Sequence, residues 1–179
     1  MAQIGDQYGE YILDRLLGRG HFGEVWEAHR RGALVPVPVA VKLLVNSPRS
    51  RAEFLQEAQL WLQAAGSAYV VPVQDVGEHQ NTFYFVSQFL SDGTLRDRIG
   101  LETGQGVPAP QALRWMEGIL EGLTYLHERN IMHLDLKPEN ILLQGEVPRL
   151  ADFGISRVLA SSYQGGGCRN DAVYAPGSL

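Results

Sequence analysis

The cluster Gly18-Arg19-Gly20-His21-Phe22-Gly23 lies between two short apolar runs. Tyr11-Ile12-Leu13, leading to Leu16-Leu17, precedes it, and Val25-Trp26-Glu27-Ala28 follows it. Both runs have strand character, so the glycines fall in the turn of a hairpin. A dinucleotide-binding glycine pattern must instead open a helix, which argues against that reading. Glycines in such a turn let backbone N–H groups approach phosphate oxygens with no Cβ in the way. Alone, the same cluster also fits a simple flexible turn. A third run, residues 37–45, is β-branched and apolar, contains Pro38 and one charge, Lys42, and joins the same sheet.

An ammonium in that run needs an anion, because an unpaired buried charge is costly. Two anions fit: a phosphate, and a glutamate on the helix that follows. Ser47-Pro48 has the pattern of a helix start. Phe54, Ala58, Trp61, Leu62 and Ala65 then recur at helical spacing, and Gly66 ends the segment. Glu57 is preferred to Glu53 as the lysine's partner, because apolar residues flank it on both sides.

Residues 70–76 and 82–90 read as two further strands, Ser91-Asp92-Gly93 as a turn, and residues 94–99 as a short helix. A loop by composition covers residues 100–110. A strong helix follows from Gln111 to near Asn130, with Leu113, Met116, Leu120, Leu123 and Leu126 or His127 on one face. The polar stretch of residues 133–140 is bracketed by apolar residues. Ile141-Leu142-Leu143 and Arg149-Leu150-Ala151 form a hairpin around Gln144-Gly145-Glu146, and the tail from Ser156 is mostly loop. The order is a sheet with one helix, then a helical part with a small hairpin: a two-lobed α+β layout.

Bulk properties narrow the function. With 179 residues, 45% hydrophobic and 20% charged, the chain has the composition of an ordinary folded protein, which excludes disorder and a disulfide scaffold. A net charge of -5 speaks against nucleic-acid binding, which runs on phosphate neutralisation. The single cysteine, Cys168, permits no internal disulfide and fits a reducing compartment. No signal peptide is apparent, and no apolar run reaches the roughly 18 residues of a membrane helix. These readings point to a cytoplasmic protein without a membrane segment.

The chemistry concentrates in His133-Leu134-Asp135-Leu136-Lys137-Pro138-Glu139-Asn140. Asp135 can accept a proton from a hydroxyl nucleophile. Lys137 can neutralise charge on a transferring phosphoryl group. Asn140 offers a neutral oxygen to a metal ion, and 12 residues later Asp152-Phe153-Gly154 puts a carboxylate at the end of a hairpin, suited to hold Mg²⁺ against phosphates. Each motif has a plain structural reading, as loop cap, turn former or hairpin end. Their order together does not.

Over roughly residues 11–157 the sequence resembles the eukaryotic-type (Hanks-type) serine/threonine protein kinases, from the glycine turn through Asp152-Phe153-Gly154. The resemblance implies a two-lobed α+β kinase fold. Residues 1–10 would be an N-terminal extension, 11–90 the N-lobe, and 91–179 a partial C-lobe through the activation segment. It implies ATP and Mg²⁺ as cofactors. Gly18, Arg19, Gly20, His21, Phe22 and Gly23 would cover the phosphates, and Lys42 would contact them and pair with Glu57. Asp135 would be the catalytic base, with Lys137 beside it as in the serine/threonine class. Asn140 and Asp152 would be metal ligands. Val25, Ala40 and Leu142 would sandwich the adenine, and Gln88, Phe89 and Leu90 would form the hinge. Ser87, small at the gate, would leave the back pocket open. Trp61, His133 and Phe153 would belong to an apolar regulatory column.

The sequence departs from the family in four places. Leu134 stands where many members carry an arginine that receives an activation-loop phosphate. Tyr174-Ala175-Pro176-Gly177 resembles the Ala-Pro-Glu stop with Gly177 in place of glutamate. Arg169-Asn170-Asp171 stands where a Gly-Thr pair is usual, and no threonine follows Thr124. The chain stops at Leu179, short of the roughly 250–300 residues the resemblance implies, so it reads as C-terminally truncated. Loss of the supporting helices is expected to expose the apolar side of the helix of residues 111–130.

The resemblance thus implies Mg-dependent transfer of the ATP γ-phosphate to a Ser or Thr hydroxyl of a protein substrate. The alternative is a truncated or pseudokinase-like nucleotide-binding interaction module without turnover. A small-molecule kinase of the aminoglycoside or choline type shares a base, an asparagine and a metal aspartate, but fits the residue 135–140 loop less well.

Overall fold

The structure, a computed structural model, describes residues 1–20, 23–45, 50–101, 106–152 and 157–158. Its first part is an antiparallel sheet of six strands in the order β1-β2-β3-β4-β6-β5. The strands are β1 (Gln7–Tyr8), β2 (Tyr11–Gly20), β3 (Gly23–Arg30), β4 (Pro38–Leu43), β5 (Val73–His79) and β6 (Thr82–Gln88). Between β4 and β5 runs α1 (Arg51–Gln63). β2 and β3 form the expected hairpin with the glycines at its tip, where Gly20 pairs with Gly23. Two register shifts in β2, at Leu13/Arg15 and Leu16/Gly18, add local twist ahead of that tip.

Strand alternation decides what each face carries. In β4, Val39, Val41 and Leu43 are buried, and Ala40 and Lys42 alternate with them on the opposite face. Val25 pairs with Lys42 from one side, and Ser87 and Phe85 pair with Ala40 and Lys42 from the other. One face is covered by a cluster of Leu13, Trp26, Ala28, Val41, Leu43, Tyr84 and Val86. Residues 1–10 are part of this layer: β1 pairs with β2, and Ala2 is buried in the cluster.

Ser47 and Pro48, where the sequence pattern starts the helix, lie outside the described residues. The described helix starts at Arg51 behind Ser50, which forms a reciprocal capping box with Glu53. Its buried residues are Phe54, Glu57, Ala58, Leu60 and Trp61, whereas the expected Leu62 is exposed. The strand expected at residues 70–76 begins only at Val73, because Val70 bridges Leu150 instead, with the Val71 N–H donating to the Leu150 oxygen and the Leu150 N–H to the Tyr69 oxygen.

The second part comprises α2 (Leu95–Leu101), α3 (Ala109–His127), β7 (Ile131–Met132), a single 3-10 turn (Pro138–Asn140), β8 (Ile141–Gln144), β9 (Val147–Leu150) and β10 (Arg157–Val158). β8 and β9 are the expected hairpin, and β10 pairs with β7 in what the sequence suggests is loop. The Gly145 N–H at the hairpin turn donates to Asp92, 2.6 Å away, which ties the hairpin to the turn before α2.

The buried face of α3 differs from the one its leucines suggest. Trp115, Gly118, Ile119, Gly122 and Leu126 face inward, while Leu113, Met116 and Leu120 are more than half exposed. The reason is close packing. A Cβ at Gly118 would stand 2.7 Å from Pro148 Cγ, and one at Gly122 2.9 Å from Leu150 Cδ1. The two glycines form a groove that admits β9, and hydrophobic periodicity does not register glycine. A second cluster runs from Phe54, Trp61 and Phe85 through Trp115, Ile119 and Leu126 to Leu143 and Leu150, and joins the parts. Among the described residues no helix is long and apolar enough to cross a membrane.

Candidate active site

A cavity of about 460 Å³ opens between the sheet and the β8–β9 hairpin. Its walls are the alternate-face residues described above. Val25, Ala40, Ser87 and Phe85 come from the sheet, Leu142 from β8, and Trp61 from α1. Gly18, Arg19, Gly20 and Gly23 form its rim. The opposite end is polar, with Lys42, Lys137, Glu139, Asn140 and Asp152. The cavity therefore suits a molecule with a flat apolar ring and an anionic tail.

The rim is fixed by its residue types. Gly23 has φ +132°, and a Cβ there would meet the Leu43 carbonyl oxygen at 1.8 Å, so only glycine fits. Arg19 Nε donates to Glu24 at 3.1 Å across the hairpin. The same buried carboxylate accepts the Trp26 indole N–H at 3.1 Å. These bonds brace the turn from both strands.

The polar end is built around Asp135. Lys137 Nζ donates to its carboxylate at 2.8 Å, and Asn140 Nδ2 donates to the same carboxylate oxygen at 2.9 Å. Asn140 Nδ2 also donates to the Asp135 backbone oxygen at 2.9 Å. Both of these acceptors face the Asn140 amide nitrogen, so its carbonyl oxygen is the atom left for a ligand. Across the cavity, Lys42 Nζ donates to Asp152 Oδ1, with the lysine side chain only 11% exposed.

The carboxylate and the lysine that flank the loop have shifted acidities. The hydrogen bond from Lys137 is the main cause that holds the Asp135 carboxyl below its ordinary range, aided by Asn140 and opposed by partial burial. The same bond raises Lys137. Asp135 is therefore an anion at neutral pH. His133, buried, is pushed below its ordinary value by desolvation. As a neutral ring it donates from Nε2 to the Ala151 oxygen at 2.9 Å, and Nδ1 accepts the Asp135 N–H at 3.4 Å.

Those bonds hold two residues in the left-handed region. Leu134 has φ +61° and Asp152 φ +60°, which non-glycine residues adopt at a cost of about 1–3 kcal/mol. The His133–Ala151 bond and the Ala151 N–H to Asn140 oxygen bond, 2.9 Å, clamp the two strained positions together. Strain held by its surroundings is typical of a working site.

Most residues singled out from sequence line this one cavity: Gly18, Arg19, Gly20, Gly23, Val25, Ala40, Lys42, Ser87, Lys137, Asn140, Leu142 and Asp152. Asp135 adjoins it through Lys137 and Asn140. Gln88 ends β6, and Phe89 and Leu90 lead from the sheet toward α2. Glu53 is exposed and serves the helix cap; Glu57 is buried one turn from Trp61. Asp152 is an anion for Lys42 that the sequence reading did not pair with it. His21, Phe22 and Phe153 lie outside the described residues. The sequence reading passed over Phe85, Glu139 and Ala151 in the lining. Phe85 lies two residues before Ser87, so strand period alone would have found it.

The donor set also fits a magnesium ion bound with a nucleotide. Among the described residues no cluster of three or more His, Cys, Asp or Glu side chains is formed. Asn140 and Asp152 would supply two oxygens, and Mg²⁺ commonly completes its shell with phosphate and water oxygens.

The chain matches the model of the protein kinase domain over residues 11–176 and belongs to that family. It is 37% identical over 163 residues to the serine/threonine-protein kinase PknD of Mycobacterium tuberculosis, covering 88% of this chain and 24% of the relative. It is 34% identical over 151 residues to the mouse serine/threonine-protein kinase Nek4, covering 83% and 19%. It is also 30% identical over 170 residues to the mouse tyrosine-protein kinase Srms, covering 94% and 32%. The chain thus spans between a fifth and a third of the length of these relatives.

Proposed function

We propose that this chain carries the ATP site of a serine/threonine protein kinase and transfers the ATP γ-phosphate to a protein hydroxyl. The observation that carries the reading is the Asp135–Lys137–Asn140 cluster at the polar end of a cavity whose other end is apolar. Asp135, kept ionised, takes the proton from the incoming hydroxyl. Lys137, bonded to that base, balances negative charge on the phosphoryl group between base and nucleotide. Lys42 and the glycine-turn N–H groups hold the phosphates, with Glu57 as the helix partner that positions Lys42. Val25, Ala40 and Leu142 pack the adenine, and the backbone of Gln88, Phe89 and Leu90 reads its edge. Asn140 and Asp152 would hold Mg²⁺, which would neutralise charge along the phosphates.

Residues 11–90 act as the N-lobe and residues 91–179 as the C-lobe portion, with the cavity between them. The preference for serine and threonine rests on Lys137 and on relatives named as serine/threonine kinases, set against one named as a tyrosine kinase. ATP dependence and the lone cysteine favour a cytoplasmic setting.

The test is radiolabelled ATP with Mg²⁺ and a basic protein substrate, followed by phosphoamino-acid analysis. Label on serine or threonine that disappears in Asp135→Asn supports the reading. Label on tyrosine overturns the specificity, and label that survives Asp135→Ala overturns the base. A thermal shift with Mg·ATP but no turnover identifies a nucleotide-binding module instead.

A further inference from the structure

The apolar end of the nucleotide cavity has walls of unequal size. Ala40 on β4 pairs with Ser87 on β6, and both line the cavity with small side chains. One strand period away on β6, Phe85 lines the same cavity with a ring. From its size alone, Ser87 is expected to leave the space behind it open. Trp61 of α1 supplies the other large group at this end. It lines the same cavity, and its ring packs on Phe85 with centroids 4.4 Å apart at 45°.

The indole has little freedom. Trp61 is 6% exposed and Phe85 1%, and both belong to the cluster that joins the two parts of the chain. Phe54, two turns earlier on α1, also packs on Phe85, with centroids 4.9 Å apart, so α1 grips that ring at two points. A wall packed this closely yields to an added ligand group only at a cost, because overpacking forces side chains off their rotamers. The edge that Trp61 turns to the cavity is therefore a fixed boundary.

We infer that Trp61 is a specificity-determining residue, whose indole fills the space that Ser87 leaves and closes the cavity behind the adenine. The inference rests on the nucleotide reading proposed above. In that reading the ring lies between Ala40 and Leu142 with its amino edge toward Gln88. A group added to the amino nitrogen is then directed along β6, past Ser87 and onto Trp61. The pocket takes plain adenine and rejects adenine enlarged at that nitrogen, although the residue at position 87 is small. The helix residue sets the size limit, and the strand residue makes room for it.

The test is calorimetric titration of the chain with Mg·ATP and with Mg·ATP benzylated on the adenine amino nitrogen. Wild type is expected to bind the benzylated nucleotide at least about tenfold more weakly than ATP. Trp61→Leu, which keeps an apolar side chain in the core, should shrink that ratio by about tenfold, and Trp61→Phe should shrink it less. Ser87→Gly should leave the ratio in place, since the indole still closes the cavity. A ratio cancels any general weakening of the site, so it reads the size of the wall and is blind to lost stability. The wild-type and Ser87→Gly ratios decide the matter even where Trp61→Leu does not fold. Equal binding of the two nucleotides by wild type overturns the proposal. So does discrimination that Ser87→Gly abolishes, or that both Trp61 variants retain. Failure of ATP itself to bind is a different result: it overturns the nucleotide reading, and this inference with it.

Discussion

Asn140 Nδ2 sits 2.9 Å from both the backbone oxygen and the carboxylate of Asp135, so one buried amide fixes the loop and orients its base. Replacing that amide by a carboxyl should reverse the interaction. In Asn140→Asp two carboxylates face each other about 3 Å apart, and they cannot both stay ionised. The folded pair then holds a proton more tightly than the unfolded chain does. Such a group gives stability at low pH and loses it as pH rises through the raised folded pKa. Urea denaturation should find the variant about 1–3 kcal/mol less stable than wild type at pH 7, with a smaller deficit at pH 5. A deficit equal at both values would mean that the two side chains do not face each other.

Lys137 is the first cause of the low Asp135 pKa, ahead of Asn140. Lys137→Met should therefore move the Asp135 carboxyl up toward its ordinary value. A depressed carboxyl contributes stability above its unfolded pKa and loses it as pH falls through the folded one. The variant should lose that contribution, and the acid limb of any phosphoryl-transfer profile governed by Asp135 should move to higher pH. Carbon-detected NMR of the Asp135 carboxyl against pH reads the shift directly. An unchanged midpoint would separate Lys137 from the base.

His133 is 3% exposed and neutral, and burial pushes its pKa down. The unfolded chain then takes up the proton first as pH falls below about 6.5. Stability contributed by the neutral ring is complete above that value and declines as pH falls toward the depressed folded pKa. The slope from this residue is at most about 1.4 kcal/mol per pH unit. His133→Phe removes the slope at a cost of about 1–3 kcal/mol, because the Ala151 oxygen loses its donor. Denaturation curves from pH 5 to 7.5 on both proteins check this. Parallel pH profiles would mean that His133 is not the titrating group.

Much of this geometry was legible in the chain because the chemistry depends on strand period and short loops. Val25, Ala40, Lys42 and Ser87 converge because alternate residues on neighbouring strands share a face. The Asp135–Asn140 contact spans a single turn, so its spacing is local. The Lys42–Asp152 contact was not legible, since it joins residues 110 positions apart through the left-handed backbone at Asp152. The described start of α1 rests on Ser50, which closes a capping box with Glu53, a local pattern that the Ser47-Pro48 reading passed over.

The inward face of α3 gives the last prediction, since leucine spacing and glycine packing disagree there. Gly118 faces Pro148, and a methyl group would sit 2.7 Å from its ring, too close to fit without a shift of β9. Met116, only two residues away, is 53% exposed. Gly118→Ala gains helix propensity of about 1 kcal/mol, yet the forced separation of helix and hairpin outweighs it. A net loss of about 1–2 kcal/mol is expected, with further loss in Gly118→Val. Met116→Ala should change stability by no more than about 0.5 kcal/mol, as for an exposed surface substitution. β9 ends one residue before Ala151, which accepts the His133 bond beside Asp152. Its displacement should therefore also weaken Mg·ATP binding in the Gly118 variants and leave Met116→Ala at the wild-type value. Chemical denaturation and nucleotide titration on the three variants decide between the two faces. A destabilised Met116→Ala beside a neutral Gly118→Ala would restore the leucine face as the buried one.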